Sequence, residues 1–203
     1  MHLLKKLLPS LQNARPKQLI FAGLGNPGLR YEMTRHNLGF MVLKALAGQL
    51  SVQMKEEKRF KAFVGKVEVE GVVLHLIMPL TYMNLSGSAL RHYMSYFKLL
   101  PMELTVVVDD LFLPFGSTRL LTQGGCGGHN GLKSIEQELK TSCYNRLRMG
   151  VGKPPEHMAK ADYVLQPFSA TEQEKLDEFV AKGKDILFRL VTHTIDQVMC
   201  DTN

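Results

Sequence analysis

Residues 18–28, QLIFAGLGNPG, decide the fold class. Gln18–Leu24 is a nearly continuous apolar run stopped by Gly-Asn-Pro-Gly, which reads as a strand buried on both faces and ended by a turn. Outward from it, residues 37–50 carry apolar side chains at helical spacing, and Lys61–Glu70 alternates before Gly71 and the apolar Val72–Met78, as in a hairpin. Ser86–Lys98 reads as a helix with Leu90, Tyr93, Met94 and Phe97 on one face. Leu104–Val108 and Ser117–Thr122 read as strands, and Asn130–Lys140 as a helix capped by Asn130. Arg146–Val151 reads as a strand with basic residues on one face, and Thr171–Val198 as largely helical, capped by Ser169 or Thr171. Strands interleaved with helices, plus a hairpin, predict an α/β fold: a single domain with a mixed, mostly parallel, twisted β-sheet covered by helices on both faces.

The chain has 203 residues, 45% hydrophobic and 22% charged, which excludes wholesale disorder and suits one domain. Cys126, Cys143 and Cys200 give no disulfide framework, so a reducing compartment, the cytoplasm, is the expected location. No apolar run approaches the roughly 20 residues of a membrane span. Residues 1–155 hold 20 basic and 10 acidic groups, whereas residues 156–203 hold 5 and 9. A basic body with an acidic tail nominates a polyanion as partner. Residues 1–17, with Leu3, Leu4, Leu7, Leu8 and Leu11 at helical spacing and four basic side chains, form a basic amphipathic extension; residues 18–203 form the folded domain.

Gly23–Gly28 matches G-x-G-x-x-G, the fingerprint of a nucleotide-dependent oxidoreductase. Two features oppose that reading. Pro27 removes a backbone donor a pyrophosphate would need, and no Asp or Glu lies in residues 42–55 to hold a ribose. The loop is better read as a tight turn carrying Asn26 to the edge of the sheet.

Polar residues follow the predicted strands at Asn26, at His36 in TRHN, at Asn84 in PLTYMNLSG and at Asp109-Asp110, with His129-Asn130 in the glycine-rich GGCGGHNG. Strand ends are where open α/β sheets bind ligands. Each residue alone has an ordinary explanation: Asn84 as a helix cap, Asp109 as a turn residue, a lone His as structural. Cys126-x-x-His129 lacks the second half of a metal site, so no metal is expected. Together the residues equip a hydrolase without a serine nucleophile. A His takes a proton from water, contributing roughly 10²–10⁴ in rate. A carboxylate holds its tautomer, and Asn N–H groups steady an oxyanion, at about 3–4 kcal/mol per donor.

GLGNPGLRYEMTRHNLGF, PLTYMNLSG, VVVDDLFLPFG, GGCGGHNGLKSI and RLRMGVGKP, in this order, resemble bacterial-type peptidyl-tRNA hydrolase over some nine-tenths of the chain. The resemblance implies a monomeric α/β enzyme, without metal or cofactor, that cleaves the ester between a peptide and the 3′-terminal ribose of tRNA and so recycles tRNA from stalled translation. It implies His36 as the base that activates water, Asp109 as the group holding it basic, and Asn26 as the sensor of the peptide linkage. It further implies Tyr31, Tyr82, Met83, Asn84 and Asn130 at the 3′ end and adjoining peptide. An aromatic suits stacking on an unpaired adenosine, and asparagines suit reading its edges.

The chain departs from the family pattern at Cys126, where a His is expected, at Leu121, in place of a basic residue linked to tRNA phosphate, and at Tyr82, in place of Phe. Arg119, Lys133 and Arg148 are the compensating phosphate contacts, with Arg146 and Lys153 adding charge around the glycine loop. The alternative from another class, a non-catalytic RNA-binding relative, has no need of a base–carboxylate pair.

Overall fold

The apolar run becomes β1 (Gln18–Gly23), and its burial follows from its place near the middle of a seven-stranded sheet. The computed structural model describes residues 17–203; the extension expected over residues 1–17 lies, Lys17 apart, outside the described residues. The other strands are β2 (Lys55–Glu57), β3 (Ala62–Val69), β4 (Val72–Pro79), β5 (Leu104–Asp110), β6 (Thr118–Leu121) and β7 (Asn145–Gly150). They lie side by side as β2-β3-β4-β1-β5-β7-β6. β4, β1, β5 and β7 form a parallel centre, with antiparallel β2-β3 on one flank and β6 on the other. The expected hairpin is β3–β4, paired from Ala62↔Pro79 to Val69↔Val72. β2, three exposed residues, is an addition that no hydropathy pattern announced.

Helices cover both faces. α1 (Leu38–Gln49), α6 (Leu176–Thr192) and α7 (Ile195–Thr202) bury one core with Phe21 and Val107. α2 (Ser86–Phe97) and α3 (Asn130–Leu139) bury the other with Ile20, Ala22, Val106 and Val108. Successive residues of the middle of β1 and β5 thus feed opposite cores, which is why Leu19–Ala22 and Val106–Val108 are apolar without a break. The long C-terminal helix expected over Thr171–Val198 divides into α5 (Ala170–Gln173), α6 and α7. Ser169 caps α5 in a capping box with Glu172. α4 (Lys160–Val164), five residues long, is too short to leave a periodicity in the sequence.

After β1 the chain passes Gly28, at φ 106°, into one 3₁₀ turn (Leu29–Tyr31) and then another (Arg35–Asn37) before α1 begins. No α-helix opens on the glycine loop. The glycines serve close packing instead: a Cβ on Gly23 would collide with the Gly39 carbonyl, and one on Gly39 would lie 2.5 Å from the Leu24 nitrogen and the Val107 oxygen. The start of α1 is therefore pressed onto the ends of β1 and β5, which brings the Arg35–Asn37 turn alongside Asp109. Gly39→Ala should lower the melting temperature by about 5–10 °C, since overpacking costs roughly 1–3 kcal/mol. Gly48→Ala in the same helix, where a Cβ meets nothing, should leave it unchanged or higher in the same thermal unfolding experiment.

Candidate active site

Asp109 is the last residue but one of β5, with its carboxylate buried, and two imidazoles converge on one of its oxygens. His36 Nδ1 lies 2.9 Å from Asp109 Oδ1, and His129 Nε2 lies 3.1 Å from the same atom. The rings are 4.9 Å apart. Burial alone would push the Asp109 carboxyl up, but the electrostatic pull of His36 and His129 and a hydrogen bond from each outweigh it and hold the group well below the usual carboxylate range. For His36, burial works against the charged ring, yet the Asp109 charge and hydrogen bond win and raise its pKa above 6.5. With Nδ1–H given to Asp109, the free lone pair of His36 is on Nε2. The three atoms that meet here lie within 4.8 Å of one another, and with Asp109 ionised each ring meets it as an N–H donor.

Asn26 is fixed from both sides. Its backbone N–H donates to Asn37 Oδ1 at 2.8 Å, and Asn37 Nδ2 donates back to its carbonyl at 2.9 Å. Its side-chain Oδ1 accepts from the Met83 N–H at 2.8 Å. That assignment leaves the Asn26 amide N–H groups for the cavity it lines. The cavity, about 700 Å³, is bordered by Asn26, Tyr31, His36, Tyr82, Met83 and Asn84, and across from them by Asp109, Asn130 and Arg148. Nine residues expected at the site from sequence are thus brought together. Asn84 lies in a 3₁₀ turn (Met83–Leu85) and caps nothing. An apolar side of the same cavity, Leu111, Phe112, Val164 and Leu165, was not anticipated.

The cations divide. Arg148 Nε lies 2.9 Å from Asp110 Oδ2, and its guanidinium fills the space beside Gly127, where a Cβ would be 2.6 Å from Nη2. Arg119 is exposed directly across from Arg148 in the β6–β7 register. Lys133 is exposed on α3; neither it nor Arg119 lines the cavity. Arg146 is a correction: its side chain is buried, donating to the carbonyls of Tyr144 and Ser142 and pairing with Glu136, so it offers nothing to a phosphate.

Comparison with known proteins places this geometry. The model of the family described as Peptidyl-tRNA hydrolase matches residues 20–203. The chain belongs to the peptidyl-tRNA hydrolase family. It is 48% identical over 165 residues to peptidyl-tRNA hydrolase of Bacillus subtilis (strain 168), covering 81% of this chain and 87% of the relative. It is 43% identical over 189 residues to the chloroplastic peptidyl-tRNA hydrolase of Arabidopsis thaliana, covering 90% of this chain and 65% of that one. Among solved structures, peptidyl-tRNA hydrolase from Acinetobacter baumannii superposes with a TM-score of 0.86 at 32% identity, over 91% of this chain and 94% of the other. Among the described residues no helix is long and apolar enough to cross a membrane.

In this family member the cap of α3 differs from the one expected from sequence. His129, not Asn130, is the N-cap: its Nδ1 accepts from the Gly131 and Leu132 N–H groups. Asn130 is thereby freed to line the cavity. Asn37, which orients Asn26, was also passed over, although it directly follows His36. Asp109→Asn tests the electrostatics. Without the negative charge, burial alone acts on His36, so its pKa should fall below 6.5 and the acid limb of kcat/KM should move to lower pH. The plateau should drop by roughly 10²–10⁴ as the tautomer is lost. A pH–rate profile of the variant checks both.

Proposed function

We propose that this chain hydrolyses the ester between a peptide and the 3′-terminal ribose of peptidyl-tRNA, freeing both products, with His36 as the base that activates water. The observation that carries the reading is the 2.9 Å contact between His36 Nδ1 and a buried, ionised Asp109, on the wall of a cavity shared with Asn26, Asn84 and Asn130. His36 Nε2 takes the proton of a water as it attacks the ester carbonyl, and Asp109 stabilises the imidazolium that forms. The oxyanion is steadied by asparagine N–H groups, and the proton passes to the leaving ribose oxygen. No covalent enzyme intermediate, metal or cofactor is used.

In this reading Asn26, with its amide oriented by Met83, donates to the carbonyl of the peptide linkage, which a free aminoacyl ester lacks. Tyr31 and Tyr82 offer faces to the terminal adenosine, Asn84 and Asn130 read its edges, and Met83 packs beneath. Arg148, with Arg119 beside it and Lys133 on α3, meets the phosphate backbone. The working form is a monomer, its location the cytoplasm, and residues 1–17 are an extension to the 18–203 catalytic domain.

Purified protein incubated with N-blocked aminoacyl-tRNA should release deacylated tRNA; no release at micromolar enzyme would end the hydrolase reading. His36→Ala should abolish that release while tRNA binding, followed by filter retention, survives. Asn26→Ala should lose rate on the blocked substrate and begin to cleave aminoacyl-tRNA with a free amine. Unchanged discrimination in this variant would remove Asn26 from the sensing role.

A further inference from the structure

We propose that His129 is a positioning residue for the base: acting through Asp109, it limits how tightly His36 holds its proton. The inference rests on the reading of His36 as base and adds the control of its basicity. His129 is held at both nitrogens. Nδ1 closes the N-terminus of α3 by accepting from Gly131 N at 3.1 Å and Leu132 N at 3.3 Å. A ring nitrogen facing two N–H donors carries its lone pair there, so the ring proton sits on Nε2. That N–H points at Asp109 Oδ1, 3.1 Å away, the same oxygen that His36 Nδ1 reaches at 2.9 Å. The ring is also locked by packing: its side chain is 8% exposed, and Cε1 lies 3.0 Å from where a Cβ on Gly131 would be.

Two donors on one oxygen share its lone-pair density. Each hydrogen bond stabilises the carboxylate and makes it a weaker partner for the other donor. The His129 bond is therefore a fixed withdrawal from the interaction that raises the His36 pKa. A base made too basic would stay protonated and idle at working pH. The helix N-terminus does the fixing, because it dictates which tautomer His129 adopts. Other ionisable groups facing this cavity are Tyr31, Tyr82, Asp110, Arg148 and Lys160, with Asp110 paired to Arg148. Arg35, next to His36, is paired with Glu172 at 2.5 Å. None of these side chains is hydrogen-bonded to His129, whose ring bonds only Asp109 and the Gly131 and Leu132 N–H groups among the described residues.

Two substitutions separate the two ends of the ring. His129→Asn puts an amide oxygen where Nδ1 sits, keeping the cap and losing the donor to Asp109. His129→Gln puts an amide nitrogen where Nε2 sits, keeping the donor and losing the cap. The His36 ring is titrated by NMR in each protein without substrate, and the acid limb of kcat/KM is measured with N-blocked aminoacyl-tRNA. In His129→Asn both midpoints should rise by about 0.5–1 pH unit, leaving roughly three- to tenfold less free base below the limb. In His129→Gln both should stay at the wild-type position while thermal stability falls. An unmoved His36 midpoint in His129→Asn overturns the proposal, as does an equal rise in His129→Gln. So does an Nδ1–H tautomer of His129 in the ¹⁵N spectrum of the wild-type protein, whatever the variants do. A midpoint that shifts as expected in protein that turns over no substrate would support the coupling and refute His36 as base.

Discussion

A carboxylate buried at the end of a central strand is the constraint around which the site is arranged. Asp109 cannot remain charged in that position without partners, since an isolated buried charge costs several kcal/mol. Its partners come from two separate parts of the chain: the turn before α1 brings His36, and the N-terminus of α3 brings His129. The backbone contact between Gly23, Gly39 and Val107 sets how closely the first of these can approach. Packing and electrostatics are thus one problem here. A shift of α1 away from β1 and β5 would leave the carboxylate short of a donor and the His36 ring without orientation.

Strand β7 shows how charge is sorted by the fold. Arg146 and Arg148 lie two residues apart on one strand and look equivalent in sequence. Arg146 stacks on Tyr144 and is consumed by carbonyls and Glu136, whereas Arg148 reaches the cavity beside Gly127 and Asp110. The excess of basic groups in residues 1–155 is therefore only partly surface charge available to a polyanion. The cations that line the cavity are Arg148 and, on α4, Lys160, while Arg119 is exposed across from Arg148 in the strand register.

Much of the fold was legible because the middle of β1 and of β5, Leu19–Ala22 and Val106–Val108, is buried on both faces and apolar without a break, and because α1 and α2 are long enough to repeat their period. β2 and α4 are too short to carry any signal, and their placement depends on neighbours remote in sequence. For the site, position after a predicted strand was enough to single out Asn26, His36 and Asp109. The cap of α3 was misjudged because Asn is a favoured capping residue and His is not. What reversed the order was long-range: Asp109, twenty residues earlier, draws the His129 ring inward and leaves Nδ1 aligned with the helix. The orientation of Asn26 likewise depends on Met83, 57 residues away, a contact no local pattern encodes.

The central claim is that Asp109 stays ionised in the interior because two imidazoles donate to it. The most direct measurement is the ¹³C carboxyl shift of Asp109 followed from neutral pH downward. The carboxylate signal should persist through the ordinary aspartate midpoint of about 3.9 and change only well below it. Titration at or above that value would contradict the arrangement, because burial would then have prevailed over the two histidines.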